Sequence, residues 1–497
     1  MPKRTAIIRV DASVKTGTGH VMRCIALAQG LQKSGFQIHF VSSECPEALI
    51  EKIKGEKLSF RKINFVPGSV QDAKATAKFA KDKKATWVVV DGYVFSEKYQ
   101  KAVKDAGLRL LFVDDYGHCK NYSADIILNQ NIYATERFYP KRTTFCKMLL
   151  GTSYVMLRKE FSAFAGWKRQ VQRKASKILV SLGGSDPSNS ALKILNALKR
   201  TNFNLKAIVG GANPHIKSLE KEITKSPNLQ ILKNVSNMPE HMKWADIIIS
   251  GGGSTCWETC FMGLPNIILY CAENQIPIAK NLDRAGAAIN LGHCSKFSEK
   301  RFLSSLAKLV EDFEGRKAMS ARGRQLVDGL GVERIVGSMN GLFLRKAKKE
   351  DCRFVWELSN SKSVREISFS KDYIPFSQHK KWYEGILKDK NVFFCVAETS
   401  DDRRAGQIRF KLNGKDAVVS TSLEAKFRGK GYGSTIIREA SDSLMRNSKV
   451  KVIHAYIKPD NTGSLKSFQK AGFKQSRPDE FSIEKKCLHF IIEKKSV

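Results

Sequence analysis

A short glycine-rich loop near the start of the chain sets the strongest constraint on its fold. The loop, Thr16–His20, lies between an apolar run at 6–10 and a helix-like run that begins at Met22. Glycines let the backbone turn tightly. The helix that follows directs its free N–H groups and the positive end of its dipole towards the loop. The stretch predicts a strand, a loop and a helix that bind phosphate or polar sugar groups, with His20 placed to move protons. A surface loop with an incidental histidine is the alternative, because so short a pattern is common.

Apolar and helix-like stretches continue to alternate up to about residue 340. The apolar runs are continuous, which is typical of parallel sheets covered on both faces. A chain of 497 residues is long enough for about three domains. We predict two Rossmann-like domains, residues 1–158 and 159–340, the second opening with a polar, helix-prone segment at Phe161–Lys177. The predicted strands are Ala6–Val10, Gln37–Val41, Trp87–Asp91, Leu108–Asp114 and Asp125–Asn129, then Ile178–Leu182, Leu205–Val209, Leu229–Leu232, Asp246–Ser250, Pro265–Tyr270 and Ala287–Asn290.

Three predicted strands of the first domain end in polar loops. These loops are Asp11–His20, Asp91-Gly92-Tyr93 and Asp114–His118. Ligands of doubly wound sheets gather beyond the carboxyl ends of the strands, so the three loops predict one wall of a cleft. Each aspartate also fits a structural role as a helix cap or turn residue.

The second domain carries two further strand-to-helix glycine turns, Leu182–Pro187 and Ser250–Thr255. In the latter, three glycines are followed by Ser and Thr hydroxyls at a helix start, which predicts a cradle for a diphosphate. Glu258 lies one helical turn further and is expected to accept hydrogen bonds from ribose hydroxyls. The loop Cys271–Gln275 follows the next strand and is expected to face the same cleft. A plain tight turn remains the alternative for the glycines.

The order and spacing of these motifs resemble the UDP-sugar hydrolase family of pseudaminic acid biosynthesis, from residue 1 to about 340. The resemblance implies the GT-B architecture, with the nucleotide on the second half and the sugar reaching the first. It also implies hydrolysis of UDP-2,4-diacetamido-2,4,6-trideoxy-β-L-altropyranose to UDP and the free sugar. No metal is expected, because no second Cys or His pair stands at ligand spacing beside Cys256 and Cys260. His20 would be the general base that activates water against the anomeric carbon. The implied substrate-binding residues are Gly17, Gly19, Arg23, Tyr93, Gly252, Gly253, Ser254, Thr255, Glu258, Asn274 and Gln275, of which Tyr93 and Asn274 would line the sugar site.

A third domain, residues 341–497, begins where the pattern changes to alternating strands at 392–399, 405–412, 417–422 and 451–457. Its Arg428–Gly433 loop precedes a helix-like run, and Asn461–Ser464 leads to Phe468 and Gly472-Phe473. Together these resemble the GNAT acetyltransferases, whose loop amides bind the pyrophosphate of acetyl-CoA. The predicted fold class is therefore a GT-B-like α/β pair followed by an α+β GNAT domain. The implied acetyl-CoA-binding residues are Arg428, Gly429, Lys430, Gly431, Tyr432, Gly433, Asn461 and Ser464.

The third domain departs from the GNAT pattern at one position. Many members have tyrosine where this chain has Phe468, which removes the obvious general acid. Glu424, His454 and Tyr456 are alternative candidates for proton transfer, and each fits a structural role equally well. The segments at 356–360, 364–365 and 378–382 resemble the sugar-amine acetyltransferase of the same pathway, which implies acetylation of the 4-amino group of the UDP-sugar.

The formal net charge of +37 leaves polyanions as alternative ligands. The Lys and Arg residues are spread along the chain, so we expect a basic solvated surface and no nucleic-acid partner. The eleven cysteines include no CxxC pair, and the start has no secretory pattern, which favours a cytoplasmic protein with reduced thiols. Apolar runs of six or seven residues are too short to span a membrane. Two other enzymes are alternatives to the hydrolase: a GT-B glycosyltransferase and a hydrolysing UDP-HexNAc 2-epimerase. A basic nucleic-acid-binding protein is the alternative that is not an enzyme. No sequence feature indicates an oligomeric state.

Overall fold

The structure, a computed structural model, describes residues 4–13, 17–183, 186, 188–210, 213–216, 218–219, 227–233, 235–400 and 402–494. The chain divides into two compact units, Met1–Gly337 and Ser338–Val497. The described strands of the first unit form two sheets, and those of the second form one. The predicted division into three domains, after residues 158 and 340, stays a prediction.

The first sheet has seven parallel strands in the order β3-β2-β1-β4-β5-β6-β7. Every residue of β4 is buried, as its continuous apolar sequence predicts. The strand order reverses between β1 and β4, so the crevice of this sheet opens at their carboxyl ends. The elements are β1 (Arg4–Val10), α1 (Gly19–Lys33), β2 (Phe36–Ser42), α2 (Glu47–Gly55), β3 (Ser59–Lys62), α3 (Val70–Asp82), β4 (Trp87–Asp91), α4 (Glu97–Asp105), β5 (Arg109–Val113), β6 (Ile126–Asn129) and β7 (Lys147–Leu150), with 3₁₀ turns at Glu136–Phe138, Thr152–Tyr154 and Lys159–Phe164.

The second sheet has six parallel strands in the order β10-β9-β8-β11-β12-β13, and its order reverses between β8 and β11. Successive residues of β11 enter different cores: Ile247 and Ile249 pack on one face, and Ile248 packs on the other. Helices therefore cover both faces. The elements are β8 (Lys177–Ser181), α5 (Ser190–Leu198), β9 (Asn204–Val209), β10 (Leu229–Lys233), α6 (Met238–Trp244), β11 (Ile247–Ser250), α7 (Thr255–Met262), β12 (Asn266–Tyr270), α8 (Ile276–Arg284), β13 (Ile289–His293), α9 (Glu299–Glu311), α10 (Phe313–Leu326) and α11 (Gly331–Met339), with 3₁₀ turns at Glu273–Gln275 and Cys294–Lys296.

The sheet of the second unit is mixed, in the order β14-β15-β16-β17-β18-β20-β19. Its strand pairs are antiparallel except β17 and β18, which are parallel. The elements are β14 (Phe343–Lys346), α12 (Cys352–Asn360), α13 (Lys362–Arg365), α14 (Phe376–Lys388), β15 (Val392–Glu398), β16 (Arg404–Asn413), β17 (Asp416–Leu423), α15 (Tyr432–Asn447), β18 (Val452–Ile457), α16 (Thr462–Lys470), β19 (Lys474–Gln475), α17 (Glu480–Glu484) and β20 (Leu488–Glu493), with 3₁₀ turns at Lys349–Asp351 and Ala425–Phe427.

The expectation of a helix-prone segment at Phe161–Lys177 was wrong. Only a 3₁₀ turn at Lys159–Phe164 forms, and the chain then runs without regular structure to β8. Arg169 explains the difference, because its guanidinium donates to the carbonyls of Met242, Ala245 and Met262 at 2.6, 2.7 and 3.1 Å. These contacts at the ends of α6 and α7 require an open chain and override local helix propensity.

Candidate active site

A cleft of about 1000 Å³ lies in the first unit between the carboxyl ends of its two sheets. The loop before α1 lines one side, and the loop before α7 lines the other. A Cβ built on Gly19 would stand 3.9 Å from the Ser254 Oγ, so the two loops face each other closely. Of the predicted residues of this region, those lining the cleft are Gly17, Gly19, His20, Arg23, Tyr93, Gly253, Ser254, Thr255, Glu258, Asn274 and Gln275.

His20 lies in the first turn of α1 and is buried against the end of β4. Its Nδ1 is 2.7 Å from Oδ1 of Asp91, closer than the 3.1 Å to Nη2 of Arg23. Since Arg23 is itself a donor, the carboxylate is the partner that Nδ1 can satisfy, which places the ring proton on Nδ1. No described residue hydrogen-bonds to Nε2, so its lone pair is available to a ligand or a water in the cleft.

Arg23 holds the two carboxylates behind His20 together. Its guanidinium donates to both oxygens of Asp91, at 2.6 and 2.7 Å, and to both oxygens of Asp115, at 2.8 and 3.1 Å. Burial alone would raise the pKa of Asp91, but Arg23 and His20 outweigh it and hold this pKa well below its usual range. For Asp115, burial is likewise outweighed, chiefly by Arg23, and the pKa is lowered. Both carboxylates therefore stay ionised at neutral pH.

Tyr93 connects the two sides of the cleft. Its hydroxyl donates to Oδ2 of Asp115 at 2.7 Å and accepts from Nδ2 of Asn274 at 3.2 Å. Burial and the charge of Asp115 raise the pKa of Tyr93, so the phenol keeps its proton. Its ring meets that of His20 edge to face, with centroids 4.8 Å apart. Since the single hydroxyl proton is committed to Asp115, the Tyr93 oxygen faces the cleft as an acceptor.

The loop before α7 is held by Gln275. Its Oε1 accepts from the backbone N–H of Gly252 at 3.2 Å and from that of Cys271 at 3.0 Å. Gly252 is the predicted residue that lies behind the cleft: a Cβ there would come within 2.8 Å of the Gln275 side chain. The N–H of Gly252 therefore fixes the loop, and the positions that line the cleft are Gly251, Gly253, Ser254 and Thr255.

Glu258 is paired with a residue that the sequence analysis missed. Arg158, in the segment before the second sheet, donates from Nη2 to Oε1 of Glu258 at 2.8 Å, and its Nη1 lies 2.6 Å from Glu160. All three side chains line the cleft. Arg158 belongs to no strand end, glycine loop or helix start, so no sequence pattern marked it. One oxygen of Glu258 is thus engaged before any ribose is present.

Two of the predicted strand-end aspartates have structural partners. Asp11 accepts from the backbone N–H groups of Ser43 and Glu44, at 2.7 and 3.0 Å, and Asp114 accepts from those of Tyr116 and Gly117, both at 2.9 Å. Asp114 therefore holds its own turn, as the structural alternative describes, whereas Asp11 ties the loop after β1 to the loop after β2. Residues 14–16 of the predicted Asp11–His20 loop and residues 184, 185 and 187 of the predicted Leu182–Pro187 turn lie outside the described residues. Asp186 of that turn caps α5 by accepting from the N–H groups of Ser190 and Ala191.

In the second unit, the loop Arg428–Gly433 connects the end of β17 to the 16-residue helix α15. Gly429 and Gly431 have φ values of 73° and 80°, which side chains other than glycine rarely adopt. A Cβ on either would meet nothing within 4 Å, so both face open space at the helix start. Nε of Arg428 donates to the carbonyl of Leu423 at 2.9 Å and so ties the loop to the strand. Lys430, Tyr432 and Gly433 complete the segment, and Gly433 packs against Ser467 of α16.

The strands β17 and β18 part beside this loop. They pair only from Asp416–Val418 to Val452–His454, although they continue to Leu423 and Ile457. A parallel pair that separates in this way leaves backbone groups open to an extended ligand. His454 is the last residue of β18 that pairs with β17, and Tyr456 follows on the same face, beyond the point of separation.

Two of the three candidate proton-transfer groups, His454 and Tyr456, belong to a side-chain network that the sequence analysis missed. Tyr456 donates to Asp479 at 2.6 Å, and Nδ1 of His454 lies 2.9 Å from Nε2 of His489. Burial, then Asp479, raises the pKa of Tyr456, whereas burial, then His489, lowers that of His454. Glu424 forms an ion pair with Lys426 at 2.5 Å. Asp479 and His489 lie in the last two elements, away from any recognised motif.

Two of the predicted acetyl-CoA residues and Phe468 lie on α16. Asn461 caps this helix, because its Oδ1 accepts from the backbone N–H of Ser464 at 3.1 Å. Phe468 is buried, with its ring centroid 5.0 Å from that of Phe473. Its position is therefore one of packing, with no group that can give up a proton.

The described residues contain neither a metal-binding cluster nor a helix able to span a membrane. There, no three or more His, Cys, Asp or Glu side chains are grouped to hold a metal ion. Over the same residues, none of the helices combines the length and apolar character that crossing a membrane requires. The eleven cysteines are free thiols.

Comparison with known proteins identifies relatives of both units. Residues 178–328 match the Glycosyltransferase family 28 C-terminal domain, and residues 341–474 match the Acetyltransferase (GNAT) domain. An uncharacterised protein of Methanocaldococcus jannaschii is 26% identical over 491 residues, 95% of this chain and 97% of its own length. The spore coat polysaccharide biosynthesis protein SpsG of Bacillus subtilis is 28% identical over 345 residues, 68% of this chain and 98% of its own.

A further relative carries a description of its activity. The pseudaminic acid cytidylyltransferase and UDP-2,4-diacetamido-2,4,6-trideoxy-beta-L-altropyranose hydrolase of Helicobacter pylori is 22% identical over 322 residues, 62% of this chain and 50% of its own. With the parallel and mixed sheets described above, these matches confirm the predicted fold class.

Proposed function

We propose two consecutive reactions for this chain, which joins a homologue of the pseudaminic acid pathway hydrolase, in a GT-B-like region, to a C-terminal GNAT acetyltransferase domain. In the first, the C-terminal domain transfers acetyl from acetyl-CoA to the 4-amino group of a UDP-sugar. In the second, the GT-B-like region hydrolyses the product, UDP-2,4-diacetamido-2,4,6-trideoxy-β-L-altropyranose, to UDP and the free sugar. The fusion thus places two successive steps on one polypeptide.

The observation that carries the hydrolytic proposal is the His20–Asp91 pair at the cleft. A water oxygen bonds to the anomeric carbon, and the bond from that carbon to the diphosphate oxygen breaks, so UDP leaves with the electron pair. The water proton passes to Nε2 of His20, while Asp91 holds Nδ1–H and stabilises the imidazolium that forms. A diphosphate is a good leaving group, so placing the water and taking its proton are the main tasks of the protein.

The two sides of the cleft take the two parts of the substrate in this proposal. The Tyr93 oxygen, whose proton is held by Asp115, accepts from a sugar hydroxyl or acetamido N–H, and Asn274 lies beside it. The first turn of α7, with Gly253, Ser254 and Thr255, receives the diphosphate. The free oxygen of Glu258 accepts from the ribose.

We expect Asp91→Asn to reduce the rate of UDP release about 100-fold with little change in UDP affinity. Arg23 donates to both oxygens of Asp91, so an asparagine must turn its NH₂ group either towards Nε of Arg23 or towards both Nη2 of Arg23 and Nδ1 of His20. Facing His20, that group would donate to Nδ1 and move the ring proton to Nε2, where it blocks the base. Facing Nε of Arg23 instead, it would keep the ring proton in place but remove the negative charge that stabilises the imidazolium. The measurement is kcat against KM for UDP release, with UDP affinity by calorimetry. Unchanged kcat would therefore contradict the role assigned to Asp91.

For acetyl transfer, we propose that acetyl-CoA lies at the parting of β17 and β18, with its pyrophosphate on the loop Arg428–Gly433. The amine nitrogen attacks the thioester carbonyl, and CoA leaves as the thiolate, which must take up a proton. The lowered pKa of His454 favours the neutral ring, so this residue fits the role of the base that removes the amine proton. Tyr456 has the hydroxyl that Phe468 lacks.

One experiment tests both reactions. The purified chain is given the UDP-4-amino sugar with acetyl-CoA in H₂¹⁸O, and free CoA thiol, UDP and the sugar are followed. We expect CoA and UDP to appear in that order, with ¹⁸O in the sugar and not in UDP. Formation of neither product would overturn the proposal, and ¹⁸O in UDP would place the cleavage at phosphorus instead.

The match of residues 178–328 to a glycosyltransferase domain supports a second candidate, transfer of the sugar to an acceptor hydroxyl. The same assay separates the two, because a transferase releases UDP only when an acceptor is present. A hydrolysing epimerase would change the configuration at C2, which NMR of the sugar reveals. Salt-sensitive binding to duplex DNA without turnover would favour the nucleic-acid alternative instead.

A further inference from the structure

The cationic side chains that line the cleft are not all paired. Three of them form ion pairs with carboxylates, whereas the Nζ of Lys52 has neither a hydrogen bond nor an ion pair within 4 Å to any described residue. The three paired cations are Arg23 with Asp91 and Asp115, Arg158 with Glu160 and Glu258, and Lys159 with Glu56. Among the described cationic side chains that line the cleft, Lys52 is thus the one whose charged group has no partner.

Lys52 lies on α2, between the buried residues Leu49 and Ile53, and is itself half-buried. Burial, followed by the charge of Arg158, lowers the pKa of Lys52 against the opposing effect of nearby carboxylates. Those carboxylates, Glu56, Glu160 and Glu258, each pair with another cation. A half-buried ammonium beside a guanidinium is unfavourable by itself, and a bound anion would relieve the repulsion.

The surroundings indicate where such an anion lies. Glu258 is one of the carboxylates whose charge raises the pKa of Lys52. It belongs to the first turn of α7, which begins at Thr255 in the same cleft. The start of α7 presents N–H groups and positive dipole from the second sheet, whereas α2 belongs to the first. An anion between α7 and Lys52 would therefore be held from both sides of the cleft.

We propose that Lys52 binds the diphosphate of the nucleotide from the side opposite α7. This inference rests on the proposed function and adds to it the cation that neutralises the leaving group. When the bond to the anomeric carbon breaks, negative charge grows on the diphosphate oxygen. An ammonium group at this position stabilises that charge, in the role that charged side chains take on transferring phosphates.

The test compares UDP with uridine in calorimetric titrations of the full chain, using Lys52→Met and the control Lys54→Met. Lys54 lies on the same helix but is exposed and paired with Glu51. We expect Lys52→Met to weaken UDP binding about 10-fold to 100-fold and to leave uridine binding unchanged. Lys54→Met should change neither, and Lys52→Arg should retain most of the UDP affinity.

The outcomes separate this inference from the proposed function. If the wild-type chain binds neither UDP nor uridine, the nucleotide site and the inference fail together. If wild type binds UDP and Lys52→Met binds it equally well, the role of Lys52 is overturned while the nucleotide site stands. A loss of uridine and UDP affinity by the same factor in Lys52→Met would also overturn a specific contact with the diphosphate. Thermal unfolding of each variant verifies that the compared chains are folded.

Discussion

Replacing His20 by alanine is expected to slow UDP release about 1000-fold while acetyl transfer continues at the wild-type rate. The change removes the lone pair that takes the proton from water, and it leaves Asp91 still paired with Arg23. UDP binding should persist, because the nucleotide is proposed to be held by the start of α7, which this change does not touch. The measurement follows UDP and CoA thiol in the same reaction, so that one activity serves as the reference for the other.

His39→Ala is the matched control for this variant. His39 is also buried in the first sheet, where its Nδ1 contacts Ser59, but it does not line the cleft. It should therefore lower stability without the selective loss of UDP release. Retention of UDP release by His20→Ala would contradict the base assignment. Loss of both activities together would mean that the two regions do not act independently.

Replacing Gly431 by valine is expected to lower kcat/KM for acetyl transfer about 1000-fold while UDP release from the acetylated substrate is retained. At φ 80°, a β-branched residue is strained by about 1–3 kcal/mol, and the strain shifts the loop before α15. The valine side chain would also occupy the open space in which the pyrophosphate of acetyl-CoA is proposed to lie. Steady-state kinetics with acetyl-CoA, together with CoA affinity by calorimetry, measure the loss.

Gly414→Val controls for the backbone strain alone. Gly414 has a φ of 61° in the turn between β16 and β17, and a Cβ there also meets nothing within 4 Å. Both variants should lose stability to a similar degree in thermal unfolding, but only Gly431→Val should lose CoA affinity. Equal loss of activity in both would assign the effect to folding and would contradict the binding role of the loop.

The parts of the fold that followed from the sequence are those in which local pattern and burial agree. The fully buried β4 was predicted at its observed bounds because its apolar run has no other stable environment. The short edge strand β3, by contrast, has a mostly exposed and polar sequence, and it pairs with β2 alone. No periodicity marks such a strand, and it was missed. The segment that carries Arg169 was misjudged because distant carbonyls determine its path.

The candidate site was predictable for a related reason. His20 and Tyr93 stand at strand ends, and topology brings the ends of β1 and β4 together at the reversal of the strand order. Arg158 and Lys52 reach the same cleft from a connecting segment and from the middle of a helix. Their position depends on how the two sheets face each other, which no local pattern encodes. The sequence also did not show that Asp115 accepts hydrogen bonds from both Arg23 and Tyr93, because these residues come together only in the folded chain.

The hydrogen bond between Tyr93 and Asn274 has a consequence for turnover under the proposed function. It joins the two sides of the cleft through the same oxygen that the sugar is proposed to use. A complete substrate must exchange this bond for one of its own, whereas UDP without its sugar leaves it intact. Product inhibition by UDP should therefore depend only on the side of the cleft formed by α7. We expect Tyr93→Phe to change the KM for the substrate and to leave the inhibition constant of UDP unchanged.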